Sequence, residues 1–456
     1  MGAITHSDYW PFAVLLMSVT LVILLITRFR FHPFIALMLS AIFIGLVSPG
    51  LPVVEGQHLL ITAVELPMVE FGMMAGRIAW VIALAAVIGT AMMESGAAEQ
   101  IVNWLLKTLG EQQAAVALLV SGYILSIPVF FDTVFFLLIP LGITLALKTG
   151  RDFVLYVMAM GGGASITHTI VPPTPGPLIM AETLGIDLGV VIMAGLVAGV
   201  FPAIAVLFAS KWLNKKRRIP VRVNTTYTPL VGVPPSLFLS LLPIVIPLLL
   251  ISLNSAVDAI YGDVPGWITL IGNKNIAMSA GALVAMMLWA NKRKLGSQQL
   301  WEAAAGPLEV AGVIILITSA GGAFGSMIQH SGIGRTIGLA TDGFDVHYLV
   351  LAWVIAAVMK IAQGSGTVSM ITTSAIMAAI IGPDYHLPYN EIYLLLSIGF
   401  GSLFVPWMND SGFWVVAKMS GFTEREALST WTILLGIISI VGFIQVLILS
   451  WLLPLA

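Results

Sequence analysis

Two short stretches in each half of this 456-residue chain interrupt apolar sequence with residues that can bind an ion or a polar solute. In the first half they are SIPVFFDTVFF (126–136) and GGGASITHTIVPPTPGP (161–177). In the second half they are IAQGSGTVSMITT (361–373) and GFGSLFVPWMNDSGFW (399–414). Unwound backbone at membrane depth is tolerated only where it is buried in protein or lines a cavity. The paired stretches therefore predict broken helices around a solute site.

Asp132 lies at the tip of a predicted hairpin in the first of these stretches. An ionised Asp at the centre of a bilayer costs roughly 2.5–3.5 kcal/mol, so it needs a partner or a proton. Two interpretations stay open: Asp132 caps the helix that follows, or it takes up and releases a coupling proton.

The equivalent tip in the second half has no carboxylate and carries Gln363, Ser365 and Thr367. Short hydroxyl side chains and free backbone N–H groups at a helix start suit an anionic ligand. Lys360, just before this tip, is a candidate partner for a substrate carboxylate, although a long Lys side chain can also extend to an interface.

His168 lies between Thr167 and Thr169, just before a run containing four prolines that prevents a helix from closing over this point. A histidine can exchange a proton near neutral pH, so His168 is a candidate for proton coupling or substrate contact. The alternative is a packing residue with an ordinary hydrogen bond.

Asn409 and Asp410 occupy the matching break in the second half. The Asn409 side chain offers a donor and an acceptor, as a hydroxylated substrate requires. Asp410 is either a second titratable group at the site or an ordinary cap, facing the cytoplasm, for the next helix.

The composition excludes a soluble globular protein. Hydrophobic residues make up 59% of the chain and charged residues 9%, and the mean hydropathy is +1.01, whereas soluble domains carry roughly 25% charged residues. Apolar segments fill nearly the whole chain and predict an all-α polytopic membrane protein with about ten full spans. Two further pairs of short segments, 114–127 with 133–147 and 347–363 with 367–382, predict re-entrant hairpins.

The chain has no Cys, which excludes disulfides and Cys-ligated metals, and the sequence offers no cofactor or metal motif and no basic stripe for nucleic acid. Its start, MGAITHSDYW, lacks a basic segment, so the first helix is expected to be a retained anchor. Most Lys and Arg residues, including the run at 211–220, fall in alternate loops, which places the N-terminus in the periplasm.

The two halves look like copies of one unit. GTAMMESG (89–96) aligns with GSMIQHSG (325–332), and each leads to a hairpin and then to a Gly-rich break. An odd number of segments separates equivalent elements, so the second copy is predicted to be inverted, as in alternating-access transporters. The predicted boundaries are a first repeat over 1–210, a basic cytoplasmic linker over 211–234 and a second repeat over 235–456.

These motifs resemble those of the gluconate:proton symporter family of bacterial inner-membrane permeases. Four ordered motifs carry the resemblance over nearly the whole chain: THTIVPPTPGP, SAGGAFGSMIQHSGIG, KIAQGSGTVSMIT and NDSGFW. The resemblance implies proton-driven uptake of gluconate or related sugar acids, D-serine in some members, and a fold like the ion-transporter superfamily of inverted repeats. It also implies that His168, Gly364 to Thr367, and Asn409 with Asp410 form the site.

Three positions depart from the usual pattern of that family. Lys360 stands where an Arg is usual, Gly366 where another small residue is common, and Asp132 where a Glu is frequent at or next to the position. The charge type is kept at each charged position. A guanidinium clamps a carboxylate through two parallel bonds whereas Lys is a point charge, so the departures bear on which sugar acid fits.

The sequence therefore predicts proton-coupled transport of a small hydroxy-carboxylate across the inner membrane, by a protein that is not an enzyme. The expected partners are this anion, a proton and the lipid bilayer; a homo-oligomer stays open. Sodium coupling, D-serine as substrate and, remotely, an intramembrane enzyme are the alternatives, although no H-E-x-x-H or activated nucleophile is evident. The candidate substrate contacts are Thr167, His168, Thr169, Lys360, Gly364, Ser365, Thr367 and Asn409; the candidate proton-coupling residues are Asp132, His168 and Asp410.

Overall fold

The computed structural model describes residues 10–48, 51, 58–222, 234–262, 264–332, 347–382 and 387–455. Helix accounts for 83% of the structure, and these residues contain no strand. The helices of the first half are α1 (Trp10–Thr27), α2 (Pro33–Val47), α3 (Leu59–Glu94), α4 (Ala97–Leu109), α5 (Ala114–Leu125), α6 (Phe131–Thr149), α7 (Phe153–Ile170), α8 (Pro175–Leu184), α9 (Leu188–Ala198) and α10 (Val200–Lys216). Those of the second half are α11 (Leu237–Tyr261), α12 (Gly266–Gly272), α13 (Lys274–Arg293), α14 (Ser297–His330), α15 (Tyr348–Gln363), α16 (Gly366–Ile381), α17 (Ile392–Gly401), α18 (Ser411–Ser420), α19 (Glu424–Ala427) and α20 (Ile433–Leu452).

Within the described ranges, seven helices are long and apolar enough to cross a membrane. Several shorter apolar helices, α1, α2 and both arms of the second hairpin among them, have 10–17 residues in their apolar part. The all-helical membrane class is confirmed, and the count of about ten full spans stays a prediction.

The first hairpin differs from the prediction in one arm. α5 has 12 residues, too few to span, but α6 has 19 and is long enough to cross. The expectation that both arms are too short is therefore wrong for α6. The tip itself is 126–130, which overlaps the predicted 128–132, and Asp132 lies in the first turn of α6 instead of in the tip.

The predicted break at 161–177 is also shorter than expected. α7 stays helical through its three glycines as far as Ile170, and only residues 171–174 are non-helical. The glycines serve packing: a side chain at Gly163 would meet the Leu119 backbone, and one at Gly161 would meet the Trp431 ring. Small residues at these positions let neighbouring membrane helices approach closely. The break in the second half, 402–410 between α17 and α18, lies within its predicted range.

Equivalent helices of the two halves agree in length in some cases and differ in others: α7 has 18 residues and α17 has 10. α8 and α18 each have 10 residues, and the helical stretches Leu188–Lys216 and Glu424–Leu452 that follow them each have 29. α3 and α14 both end in a Ser followed by a glycine of positive φ, 75° at Gly96 and 80° at Gly332. The duplication and the inversion of the second copy both stay predictions.

The boundary between the halves remains a prediction as well. The basic run at 211–216 forms the last turns of α10, so the described start of the predicted linker is helical. Residues 223–233 of the linker lie outside the described residues, as do residues 1–9 and positions 333–334 of the second motif, SAGGAFGSMIQHSGIG.

Candidate functional site

Three helices begin around one cavity of about 410 Å³. α6 begins on one side of it, α16 on another and α18 on a third, and the C-terminal turns of α7 complete the wall. The lining residues are Phe130, Phe131, Asp132, Thr133, Ser165, His168, Thr169, Val310, Ile314, Lys360, Ser365, Gly366, Thr367, Met370, Ser402, Leu403, Asp410, Ser411, Gly412, Trp431 and Leu435. The first turn of a helix presents unpaired N–H groups and a partial positive charge, so this convergence favours an anion. The volume lies within the usual range of small-molecule sites, about 300–1,000 Å³.

A buried ion pair joins two walls of the cavity. The Lys360 Nζ donates to Asp410 Oδ2 at 2.8 Å and to the Gly364 carbonyl at 2.6 Å. Lys360 is 4% exposed and Asp410 7%. An ammonium group has three donors, so two protein partners leave one donor of Lys360 for a ligand. Lys360 is thus in position to meet a substrate carboxylate, but only in competition with Asp410.

Asp410 combines the two interpretations given to it from sequence. Its Oδ1 accepts from the Gly412 N–H at 2.8 Å and caps α18. The cap is also buried at the cavity wall and paired with Lys360, so Asp410 is not an ordinary exposed cap, and its role in proton coupling stays a prediction.

Asp132 is the other carboxylate at the cavity, and in the described part of the chain it has no hydrogen-bond or ion-pair partner. It is the second residue of α6, whose N-cap is Phe130, and no side chain caps this helix start. The capping interpretation is therefore not supported. Asp132 and Asp410 line the same cavity, and the role of Asp132 in proton coupling stays a prediction.

α7 contributes three polar residues to the cavity, Ser165, His168 and Thr169. The Thr169 hydroxyl donates to the Ser165 carbonyl at 2.7 Å. The His168 Nδ1 is buried and has no partner among the described residues, so a packing histidine with an ordinary hydrogen bond at this nitrogen is not what the structure shows. Thr167 points elsewhere: its hydroxyl donates to the Tyr123 carbonyl at 2.8 Å, behind the wall.

The second hairpin brings Ser365, Gly366 and Thr367 to the cavity. The Ser365 hydroxyl accepts from the Val368 N–H at 3.2 Å and caps α16. Gly364 lies behind them with φ +85°, and its carbonyl serves Lys360.

The Asn409 amide does not line the cavity but donates to the Ile361 carbonyl at 2.9 Å. Asn409 therefore fastens the break to the hairpin, and Thr167 and Gly364 likewise support the wall from behind. Contact of these three residues with the substrate stays a prediction.

Sequence reasoning missed several lining residues, of which Ser165 and Trp431 are the most telling. Ser165 precedes Thr169 by one helical turn, so extending the polar face of α7 backwards finds it. Trp431 offered no such signal. It lies in a π-helical segment, Leu428–Thr432, is 1% exposed, and its ring lies 5.7 Å from that of Phe131, centroid to centroid. Its Nε1–H has no partner among described residues, and single π turns often occur at functional sites.

The polar groups that line the cavity are hydroxyls, backbone N–H groups, two carboxylates, a lysine and a histidine. Across the described residues, no group of three or more His, Cys, Asp or Glu side chains is arranged to hold a metal ion. Such a cavity can bind a small polyhydroxylated anion and exchange a proton with it or beside it.

The fold of the chain is similar to that of a solved membrane protein. It superposes on MtrF of Neisseria gonorrhoeae, described as one of a class of antimetabolite efflux pumps, with a TM-score of 0.66, 15% sequence identity and coverage of 95% of this chain and 98% of that one. At this identity the likeness concerns the fold alone. The helices and the enclosed polar cavity thus define an all-helical, multi-pass membrane architecture.

The chain belongs to the GntP family of permeases, whose family model matches residues 10–452. It is 31% identical to a gluconate permease of Pseudomonas aeruginosa, over 99% of both chains. It is 30% identical to the low-affinity gluconate transporter of Escherichia coli K12, over 94% of this chain and 95% of that one. The family resemblance of the sequence motifs is therefore confirmed, and membership indicates a multi-pass inner-membrane protein.

Proposed function

We propose that this permease imports gluconate or a closely related sugar acid together with a proton. The observation that carries the proposal is the cavity in which three helix starts, one lysine and one unpartnered carboxylate meet. The full-length relatives named for gluconate transport support the choice of substrate.

The substrate carboxylate would rest at the helix starts beside Lys360. The free N–H groups of Gly366 and Thr367 and the remaining donor of Lys360 are all at the cavity, and both kinds of donor favour an anion. The hydroxyls of the sugar acid would bond the side chains of Ser365 and Thr169 and the Trp431 N–H. A substrate without hydroxyls would leave these polar groups unpaired, which disfavours it.

The proton would be carried by Asp132, with His168 as the second candidate. Lys360 is balanced by Asp410, so an ionised Asp132 leaves the empty cavity with one net negative charge. An incoming anion would raise this to two negative charges at low dielectric, which is strongly unfavourable. Protonation of Asp132 before substrate entry removes one of them, so anion and proton would enter together.

A monoanion moved with one proton carries no net charge. Transport would then depend on the pH difference and not on the membrane potential, which acts only on net charge movement. With the N-terminus in the periplasm, as the basic loops predict, uptake runs from the periplasm to the cytoplasm.

The test is uptake of labelled gluconate by proteoliposomes in sodium-free buffer with an inwardly directed proton gradient. We expect accumulation to approach about tenfold per pH unit for one coupled proton, and collapse of the gradient to abolish it. The variant Asp132→Asn should keep gluconate exchange between equal pools and lose gradient-driven accumulation. Glu111→Gln, which removes an exposed carboxylate paired with Lys148 far from the cavity, is the matched control.

Two results would contradict the proposal. Accumulation by Asp132→Asn equal to that of the control would remove Asp132 from coupling. Uptake that requires sodium would favour the second candidate, a sodium-coupled transporter. For that candidate the structure offers buried hydroxyls without a partner among described residues, those of Ser319, Thr372 and Thr373.

A further inference from the structure

An apolar groove runs along the outer surface between α10 and α20. Its volume is about 680 Å³, and it is lined almost entirely by apolar atoms. Ala205 and Ala209 form its floor, while Phe201 and Phe208 stand at its edge, 55% and 69% exposed. A groove of this kind in a membrane-spanning surface lies in contact with lipid.

The groove has the length of one lipid leaflet. Phe201, Phe208 and Trp212 recur on one face of α10, and eleven residues of helix rise about 16 Å. The hydrocarbon core of a bilayer is about 30 Å thick, so half of it is about 15 Å. One acyl chain of a phospholipid in a single leaflet therefore matches the groove from end to end.

One end of the groove is basic. Trp212 closes it, and the Lys216 Nζ lies 4.4 Å from the centroid of the Trp212 ring. Lys211 directly precedes Trp212 in the chain, Lys215 directly precedes Lys216, and both are exposed. Two carboxylates near this end already have basic partners: Asp152, which lines a cavity with Lys215, pairs with Arg151 at 3.5 Å, and Glu426 pairs with Arg222 at 2.6 Å. The corresponding helix of the second half, α20, has no basic residue in its last turn, so the basic end is particular to α10.

We infer that this groove binds an anionic phospholipid, with one acyl chain between α10 and α20 and the phosphate headgroup at Lys211, Lys215 and Lys216. Basic residues at the cytoplasmic end of membrane helices attract anionic headgroups, and Trp side chains are enriched at the level of the headgroups. The length of the groove matches an acyl chain, and the basic residues at its end match an anionic headgroup. Both features together indicate a phospholipid.

A second copy of the chain is the rival occupant. A two-fold axis through the groove would bring the lysines of both copies together in the same leaflet, and like charges repel. The charge therefore favours an anionic lipid over self-association at this face.

The test is native mass spectrometry of the detergent-purified full chain titrated with phosphatidylglycerol or with phosphatidylcholine of identical acyl chains. We expect phosphatidylglycerol to bind more tightly. Lys215→Gln/Lys216→Gln should weaken it on the order of 25-fold, since each basic residue near an anionic headgroup contributes about fivefold. The double variant Lys107→Gln/Lys294→Gln, which removes two exposed lysines elsewhere, is the matched control and should bind as the parent does.

The groove itself is tested by Ala205→Trp, which fills it, and by Phe208→Ala, which removes an exposed wall and leaves the helix packing intact. Both substitutions should weaken the binding of the two lipids to the same extent. If Ala205→Trp does not fold, Phe208→Ala provides the test. Equal binding of the two lipids, or the same affinity in Lys215→Gln/Lys216→Gln as in its control, would overturn the inference. So would a lipid-free dimer that Ala205→Trp converts to a monomer.

Discussion

Replacing Asp410 with asparagine should make this permease bind its substrate more tightly. The asparagine side chain is close in size to the native carboxylate, and its amide oxygen can still accept from the Gly412 N–H, so the cap of α18 is kept. The change removes the negative charge that lies 2.8 Å from the Lys360 ammonium. Lys360 then has no carboxylate partner, although it is only 4% exposed.

The size of the effect follows from what the substrate must displace. In the native protein, a substrate carboxylate competes with Asp410 for Lys360. In Asp410→Asn that competition is gone, and a hydrogen bond to a charged group contributes about 1.5–3 kcal/mol. The dissociation constant for gluconate should therefore fall about 10- to 100-fold. Removing one partner of a buried ion pair costs about 3–5 kcal/mol of folding free energy, so the substrate-free variant should be less stable and gluconate should restore part of that loss.

The assay is equilibrium binding of labelled gluconate to the purified protein, paired with thermal unfolding at several gluconate concentrations. Lys360→Met should have the opposite effect on affinity, since it removes the cation itself. Glu111→Gln breaks the exposed pair with Lys148, whose side chains are 63% and 60% exposed, and should change neither quantity measurably. Equal or weaker gluconate binding by Asp410→Asn, with stability like that of the parent, would refute the competition between Asp410 and substrate.

Three further predictions concern the wall of the cavity and the orientation of the protein in the membrane. Trp431→Phe keeps an aromatic ring but removes the unpaired N–H, and should weaken gluconate binding about fivefold while leaving hexanoate, which has no hydroxyls, unaffected. Gly364→Ala should lower the free energy of unfolding by at least about 1–2 kcal/mol, because φ is +85° and a Cβ would meet the Asn409 backbone. Gly366→Ala, where a Cβ has room, is the control and should change the free energy of unfolding by less than about 0.5 kcal/mol. Thermal unfolding measures both. Because the chain has no Cys, the single thiol of Lys294→Cys should react with an impermeant maleimide only in inside-out vesicles; labelling in intact cells would reverse the orientation.

The sequence predicted the class of fold and the centre of the site because both depend on local signals. Apolar length and the scarcity of charge define membrane helices whatever their neighbours are. Polar residues, Gly and Pro rarely interrupt such helices unless the interruption is buried in protein or lines a cavity. This signal located the regions of Asp132 and Ser365 and the break before Asp410.

What the sequence did not predict depends on contacts between distant segments. The glycines of α7 looked like a break and are a packing face, since only the opposing backbone of Leu119 shows why a side chain is excluded there. The partner of Lys360 is fifty residues away in the chain, at Asp410, and pairing at that separation leaves no periodic trace. Trp431 is part of the wall because a π-helical segment turns it there, and its sequence resembles any apolar helix.

The non-helical segment before α18 is fastened to the tip of the second hairpin by three separate side chains. Lys360 reaches across to Asp410, and both Trp407 and Asn409 donate to the Ile361 carbonyl, each at 2.9 Å. In the described first half, the Thr174 hydroxyl of the matching segment 171–174 donates to the Val171 carbonyl within the segment and to the His168 carbonyl of α7. We therefore expect substitutions at positions 360, 407, 409 and 410 to have non-additive effects, because these side chains share one set of contacts. In the first-half tip, 126–130, Ser126 has the only polar side chain and its hydroxyl has no partner among the described residues, so substitutions there should have more nearly additive effects.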